Sequence, residues 1–186
     1  MRSGLLINNE PLIKLGHRLL CMFFAAYDFE SFYRDQDKPM LRDPDPLDDF
    51  RQFEENEISE ILLTLAALSR ACDDEYGLLG MADGALPQGV GTLTTDKGIE
   101  PLTLREACNK IVHAQSLVYD LAKGTENPIW GKWYKNQGHT VTGDFKAPAI
   151  IIKGSRRNGK PWEARIELVP FVYGVSVENI NQWKTA

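Results

Sequence analysis

The feature that most constrains this fold is a change of hydrophobic period in the C-terminal part of the chain. Isoleucines at 150–152 lead into Arg157-Asn158-Gly159, after which apolar and charged residues alternate through 162–168. A period of two indicates a half-buried strand, and Asn-Gly between two such runs indicates a β-hairpin. This part of the chain is therefore predicted to form an antiparallel sheet with one buried face.

The register of this hairpin follows from which residues must be buried. A two-residue Asn-Gly turn sets Ile150 and Ile152 opposite charged residues, so that isoleucine and charge would share one face. A three-residue loop with Gly159 in the left-handed conformation instead sets Ile152 opposite Ala164 and Ile150 opposite Ile166. We therefore predict the three-residue loop.

Helical periodicity dominates the residues before the hairpin. Apolar residues recur at steps of three and four over 12–33 and again over 50–72, and each run is preceded by an Asn or Asp and then a Pro, a common helix start. A polar segment, 34–45, separates the two predicted helices. The glycine-rich stretch 77–101 has no lasting period, and we interpret it as a long surface loop.

A third helix is indicated by a capping pattern. Thr103 and Glu106 have the Thr-x-x-Glu spacing of a capping box, which predicts a helix that begins at the residue after Thr103. One side of this helix is apolar. The other side carries Arg105, Asn109 and His113, which are spaced at steps of four and therefore lie in one stripe.

The run Cys108-Asn109-Lys110-Ile111-Val112-His113 resembles the Arg-polar-x-x-x-His motif of the HEPN superfamily. These helical-bundle proteins include metal-independent ribonucleases, toxins of toxin–antitoxin pairs and non-catalytic relatives. In active relatives the motif Arg and His meet those of a second protomer; here the resemblance implies that Asn109 and His113 match the polar residue and the His. Cys108 stands in place of the Arg, and a neutral thiol cannot bind phosphate as a guanidinium does. The resemblance therefore implies the fold more than the activity.

Charge is distributed unevenly along the chain. The net charge is −5, most acidic residues lie in the first hundred positions, and most basic residues follow them. The predicted second helix begins with a cluster of carboxylates, called here the acidic segment. Such a cluster is either a solvated helix face or a surface that attracts a basic protein. The acidic segment consists of Asp48, Asp49, Glu54, Glu55, Glu57 and Glu60.

Two functional hypotheses follow from the stripe and the acidic segment. The first is a non-catalytic cytoplasmic protein-binding protein of HEPN-like architecture, an immunity or antitoxin-type partner that covers a basic toxin with the acidic segment. The alternative is a metal-independent ribonuclease, acting on nucleic acid as a homodimer. In that alternative His113 is the general base, Arg105 stabilises the phosphate charge and Asn109 orients the scissile group. A purely structural interpretation makes the stripe an ordinary helix face on which Glu106 pairs with Lys110 and His113 caps the helix.

Composition sets the expectations for domain organisation and location. With 186 residues, 43% of them hydrophobic, the chain can bury the core of a single α+β domain. We expect a three-helix part at about 9–114, a β part at about 115–170 with its hairpin at about 148–169, and a closing helix at about 171–183. The spacing of Cys and His residues indicates no metal or cofactor, and the three cysteines are expected to be buried and reduced. The longest apolar run, 19–27, is too short to cross a bilayer, so we expect a cytoplasmic protein without membrane contact.

Three shorter stretches also need an interpretation. Residues 116–121 fit either a continuing helix or a strand, and we predict a strand. Residues 127–142 mix aromatic residues with lysines, which can stack bases or hold a loop against the core. Residues 154–160 have the spacing of a phosphate-binding loop, but Pro161 replaces the required Ser or Thr and a strand follows, so we reject that site.

Overall fold

The computed structural model describes residues 10–34, 46–126, 131–139 and 142–178. These residues form an α+β fold, as predicted. The elements in chain order are α1 (Glu10–Arg34), α2 (Pro46–Tyr76), α3 (Leu78–Gly84), β1 (Gly91–Thr95), β2 (Gly98–Pro101), α4 (Leu104–Val112), β3 (Ser116–Glu126), α5 (Gly131–Asn136), β4 (Thr142–Ser155), β5 (Pro161–Glu167), α6 (Leu168–Val172) and a π-helical segment (Tyr173–Glu178).

The two long helices begin where the sequence predicts. α1 begins one residue before Pro11, and α2 begins at Pro46. Proline is favourable there because the first N–H groups of a helix have no intrahelical partner. α2 ends before Gly77, which is left-handed with φ 68° and donates its N–H to the carbonyl of Asp73 at 2.7 Å. A left-handed glycine with this bond is a common way for a helix to end.

The predicted hairpin register is confirmed. In the β4–β5 pair, Ile152 lies opposite Ala164 and Ile150 lies opposite Ile166. All four residues are buried. Gly159 has φ 78°, which the three-residue loop requires. The demand that one face be buried was therefore enough to choose between the two turns.

All five strands form one antiparallel sheet in the order β2-β1-β5-β4-β3. The strand predicted at 116–121 is confirmed as part of β3, which lies at one edge of the sheet and pairs with β4. Its register with β4 is regular over Ser116–Tyr119 and shifts after Tyr119 and again after Ala122. Only the beginning of this edge strand is therefore regular.

The stretch 77–101 was wrongly predicted to be a long loop, since it contains α3, β1 and β2. Periodicity missed the strands because they have only five and four residues, and every residue of β2 is exposed. The helical and β parts therefore interleave, with β1 and β2 preceding α4. The closing helical region begins at Leu168 rather than at 171, because Pro170 is tolerated in a first helical turn. Its predicted end, 179–183, lies outside the described residues.

The core lies between the helices and one face of the sheet. Cys72 and Cys108 are buried there, whereas Cys21 is exposed on α1, contrary to the prediction. α1 is apolar over a wide arc, and Cys21 lies on the part of it that no described element covers.

Among the described residues, no helix is long and apolar enough to cross a membrane. The core includes Leu19, Phe23, Leu62, Leu65, Cys108, Ile150, Ile152, Ile166 and Phe171.

Candidate functional site

The start of α4 follows the predicted capping pattern. Oγ1 of Thr103 accepts a hydrogen bond from the N–H of Glu106 at 3.2 Å. A carboxylate from α3 adds a second cap, because Oδ1 of Asp83 accepts from the N–H of Leu104 at 2.6 Å. Burial raises the pKa of Asp83, and hydrogen bonds from the N–H groups of Leu104 and Arg105 oppose that rise. These acceptors satisfy N–H groups that a helix start leaves unpaired.

Arg105 is held in ion pairs at this same helix start. Its guanidinium pairs with the carboxylate of Asp73 and, at 3.0 Å, with that of Asp74. The Asp73 side chain is only 2% exposed. Its Oδ1 atom accepts a hydrogen bond from the N–H of Leu79 at 2.8 Å. Arg105 and Asp73 thus join α4 to the end of α2 and the beginning of α3.

The other two residues of the stripe have separate surroundings. Asn109 donates to Oε2 of Glu106 at 3.2 Å, and Lys110 pairs with Glu106 at 3.0 Å. Burial opposes ionisation of Glu106, but the bonds from Lys110 and Asn109 hold its pKa below the ordinary value. His113 is exposed and forms the C-cap of α4. The N–H of His113 donates to the carbonyl of Asn109 at 3.2 Å as part of the helix end. Among the described residues, no side-chain hydrogen bond or ion pair joins any two of Arg105, Asn109 and His113.

Cys108, at the position of the motif arginine, has no exposed surface. Burial raises the pKa of its thiol to about 12, and the positive charge of Arg70 opposes that rise. Arg70 is half-buried on α2, and its Nε atom has no hydrogen-bond partner among the described residues. Arg70 was not predicted from the sequence, because only the packing of α2 against α4 brings it near Cys108.

The acidic segment does not form one continuous face. Asp48 and Asp49 belong to α2, and their side chains lie outside the described part of the structure. Glu57 pairs with Arg18 of α1 at 2.6 Å, so its charge is already engaged. Glu60 is exposed. The segment therefore divides into carboxylates with different neighbours.

Glu54 and Glu55 lie near β3. Burial, and then the charges of Glu55 and Glu54, raise the pKa of the Tyr119 hydroxyl on that strand. Tyr119 packs edge-on against Phe23 of α1, with ring centroids 5.6 Å apart. Glu54 is half-buried in this region, whereas Glu55 is exposed. Two carboxylates are thus placed beside the regular part of the edge strand.

An apolar cleft of about 300 Å³ lies between α2, the end of α4 and strands β3 and β4. We name it the α2–β3 cleft. It is open to solvent at Leu63, whose side chain is 50% exposed. Ser59, also in its wall, lies one helical turn from Glu55. Most of its wall is formed by Leu62, Leu63, Ile111, Val112, Leu117 and Ile152.

The basic hairpin tip at 154–160 and the described part of the aromatic stretch 127–142 both make local contacts. At the hairpin tip, Lys160 pairs with Asp96 of the β1–β2 turn at 2.6 Å. Gly154 lies against Trp162, and an added Cβ would be 2.3 Å from that ring, so packing accounts for this glycine. Trp133 is 54% exposed on α5 and packs edge-on against Tyr134, with ring centroids 5.2 Å apart. No described group of three or more His, Cys, Asp or Glu side chains could hold a metal ion.

Comparison of the chain with protein-family models, curated proteins and solved structures finds no match. The functional proposal therefore depends on the contacts, burial and charge described above.

Proposed function

We propose that the protein is a non-catalytic cytoplasmic binding protein of HEPN-like architecture, of the immunity or antitoxin type. Its ligand is a basic protein, such as a toxin, which binds at Glu55, Glu60 and the α2–β3 cleft. The observation that carries the proposal is this cleft, an apolar concavity open to solvent with exposed carboxylates nearby. Protein interfaces combine an apolar centre with a polar rim, and rim charges accelerate association with an oppositely charged partner.

The contacts of the stripe support the absence of catalysis. A general base and a phosphate ligand must both reach one scissile group. Arg105 and His113 are eight residues apart, about 12 Å along the helix axis. Arg105 is also paired with Asp73 and Asp74, so it would have to leave both carboxylates to reach a substrate bound at His113.

One observation favours the ribonuclease alternative. The charge of Arg70 reaches the position of the motif arginine, and its Nε atom has no hydrogen-bond partner within the described residues. In that alternative, Arg70 rather than Arg105 would bind the phosphate and His113 would be the base, in a homodimer. Cleavage of labelled RNA that is lost in both Arg70→Ala and His113→Ala would support it. An intact protein that does not cleave RNA would rule it out.

The test of the binding proposal compares variants that lose the same charge at different places. Glu55→Gln/Glu60→Gln removes two exposed carboxylates near the cleft, and Glu75→Gln/Glu100→Gln removes two exposed carboxylates elsewhere. Each immobilised protein is exposed to an extract of the cells that encode it, and retained proteins are identified by mass spectrometry. We expect the wild type and the control to retain a basic protein that the first variant loses.

Affinity measurements on that purified partner complete the test. We expect the cleft-side variant to weaken binding about tenfold or more, because two attractive charges are lost. Binding should also weaken as ionic strength rises. An affinity that does not change with salt, or equal losses in the two double variants, would contradict the acidic-segment mechanism.

A further inference from the structure

The edge strand β3 lies beside the α2–β3 cleft. Within the described residues, only β4 pairs with β3. An edge strand has unpaired N–H and C=O groups that can pair with another chain. Its regular part, Ser116–Tyr119, borders the cleft, because Ser116 and Leu117 belong to the cleft wall. The cleft and the beginning of this strand edge, at Ser116 and Leu117, therefore adjoin each other.

We propose that the basic partner donates an extended segment that pairs with β3 as an additional strand. One apolar side chain of that segment enters the α2–β3 cleft, and a basic side chain two residues away lies beside Glu55. The inference rests on the proposed function and specifies how the partner is bound. In strand addition the main-chain hydrogen bonds supply affinity, and pockets for alternate side chains supply specificity.

The spacing of the cleft and the carboxylates fits an extended segment. Leu117 and Tyr119 lie on the same face of β3, since both pair with buried isoleucines of β4. Alternate residues of a strand are about 6.6 Å apart. On α2, Ser59 of the cleft wall and Glu55 are one turn apart, about 6 Å. A side chain in the cleft at the level of Leu117 therefore places the next side chain of the same face near Tyr119 and Glu55.

The local charge selects a basic segment and disfavours a second copy of this chain. The exposed carboxylate of Glu55 would attract Lys or Arg and repel another carboxylate. If β3 paired with β3 of a second copy, each chain would bring its own Glu55 carboxylate to the shared edge, and like charges disfavour such pairing. The register shifts after Tyr119 also limit the regular edge to a short length, which suits a brief donated segment.

Binding of synthetic peptides to the full chain tests this proposal. The probe is a fluorescent peptide of about eight residues, the length of an ordinary strand. It has lysines two positions before and after a central leucine, with threonines between them, so that either strand direction places a lysine near Glu55. A matched peptide has glutamates in place of the lysines. By fluorescence anisotropy, we expect the lysine peptide to bind about tenfold tighter or more.

N-methylation of the lysine peptide tests main-chain pairing, because it removes N–H donors and keeps the side chains. One peptide is methylated at the leucine and lysines, and a second at the threonines. Alternate N–H groups of an added strand face the strand it pairs with. We therefore expect one methylated peptide to lose about tenfold in affinity and the other to bind within about twofold of the parent.

Protein variants test the cleft. Leu63→Gln alters its open wall, and Ile13→Gln changes a residue of nearly equal exposure on α1, 50% against 48%. We expect the first to weaken peptide binding about tenfold and the second to leave it unchanged.

Equal binding of the two methylated peptides, or of the lysine and glutamate peptides, would overturn strand addition. The proposed function would survive that result if the whole partner still bound through Glu55 and Glu60, and both would fail if neither partner nor peptide bound.

Discussion

The start of α4 and the α2–β3 cleft both bring polar residues together, but in opposite ways. At the start of α4, Arg105 is paired with Asp73 and Asp74, and Asp83 accepts hydrogen bonds from the helix backbone. At the cleft, the exposed carboxylates of Glu55 and Glu60 have no ion-pair partner among the described residues, and the apolar wall is open to solvent. Polar groups that satisfy one another hold the fold together, whereas groups that face solvent are available to a partner.

The largest expected effect on stability is at Cys108, which is buried in α4. Cys108→Arg introduces the arginine of the motif that this helix resembles, but it places a charge at a position with no exposed surface. We expect it to lower the free energy of unfolding by about 4 kcal/mol or more, since a buried charge without a partner is among the most destabilising changes. Urea denaturation followed by circular dichroism measures it. Cys108→Ala, the control, should cost about 1 kcal/mol.

A Cys108→Arg protein as stable as the wild type would contradict this picture. It would mean that the new side chain reaches solvent from α4, so that the motif position opens onto a surface. The ribonuclease alternative would then regain support.

A smaller effect is expected where Arg105 meets its two carboxylates. Asp73→Ala removes a buried carboxylate that also accepts from the N–H of Leu79. We expect a loss of about 3 kcal/mol in the free energy of unfolding, because both donors lose a charged acceptor. Asp74→Ala removes an exposed partner of the same arginine and should cost less than about 1 kcal/mol. The same denaturation measures both variants. Equal losses of stability would show that the buried and the exposed carboxylate contribute equally, contrary to this expectation.

Much of the fold was predictable because its signals are local. Pro11 and Pro46 mark helix starts, and Thr103 marks the start of α4. The hairpin register was also predictable, because only one of two turns buries the isoleucines. β1 was not, since its partner β5 is distant in sequence, and neither was β2, whose four residues are all exposed. Gly91 shows this: an added Cβ would be 1.9 Å from the carbonyl oxygen of Arg165, so close packing of strands requires a glycine that resembles a loop residue.

The candidate site was less predictable than the fold. The sequence placed the chemistry on α4, because a helical stripe is visible in a periodic pattern, but the pattern does not show which charges are already paired. The α2–β3 cleft combines residues of α2, α4, β3 and β4, and its shape depends on how these elements pack. The acidic segment was visible in the sequence. Its division between α1, β3 and solvent depends on contacts such as the pair of Glu57 with Arg18.

The smallest expected effect on stability is at Leu63, in the wall of the α2–β3 cleft. It is informative because a substitution there can change binding without changing stability. Leu62 and Leu63 are neighbours on α2, but Leu62 is 1% exposed and Leu63 is 50% exposed. Leu63→Gln should change the free energy of unfolding by less than about 0.5 kcal/mol, since Gln and Leu have similar helix propensities and the site is open. Leu62→Gln, the control, should be strongly destabilising because it buries an amide in the core. Similar losses in both variants would mean that Leu63, like Leu62, is part of the core. A stable Leu63→Gln protein that no longer binds the lysine peptide is the result expected of a docking surface, since a core position would lose stability as well.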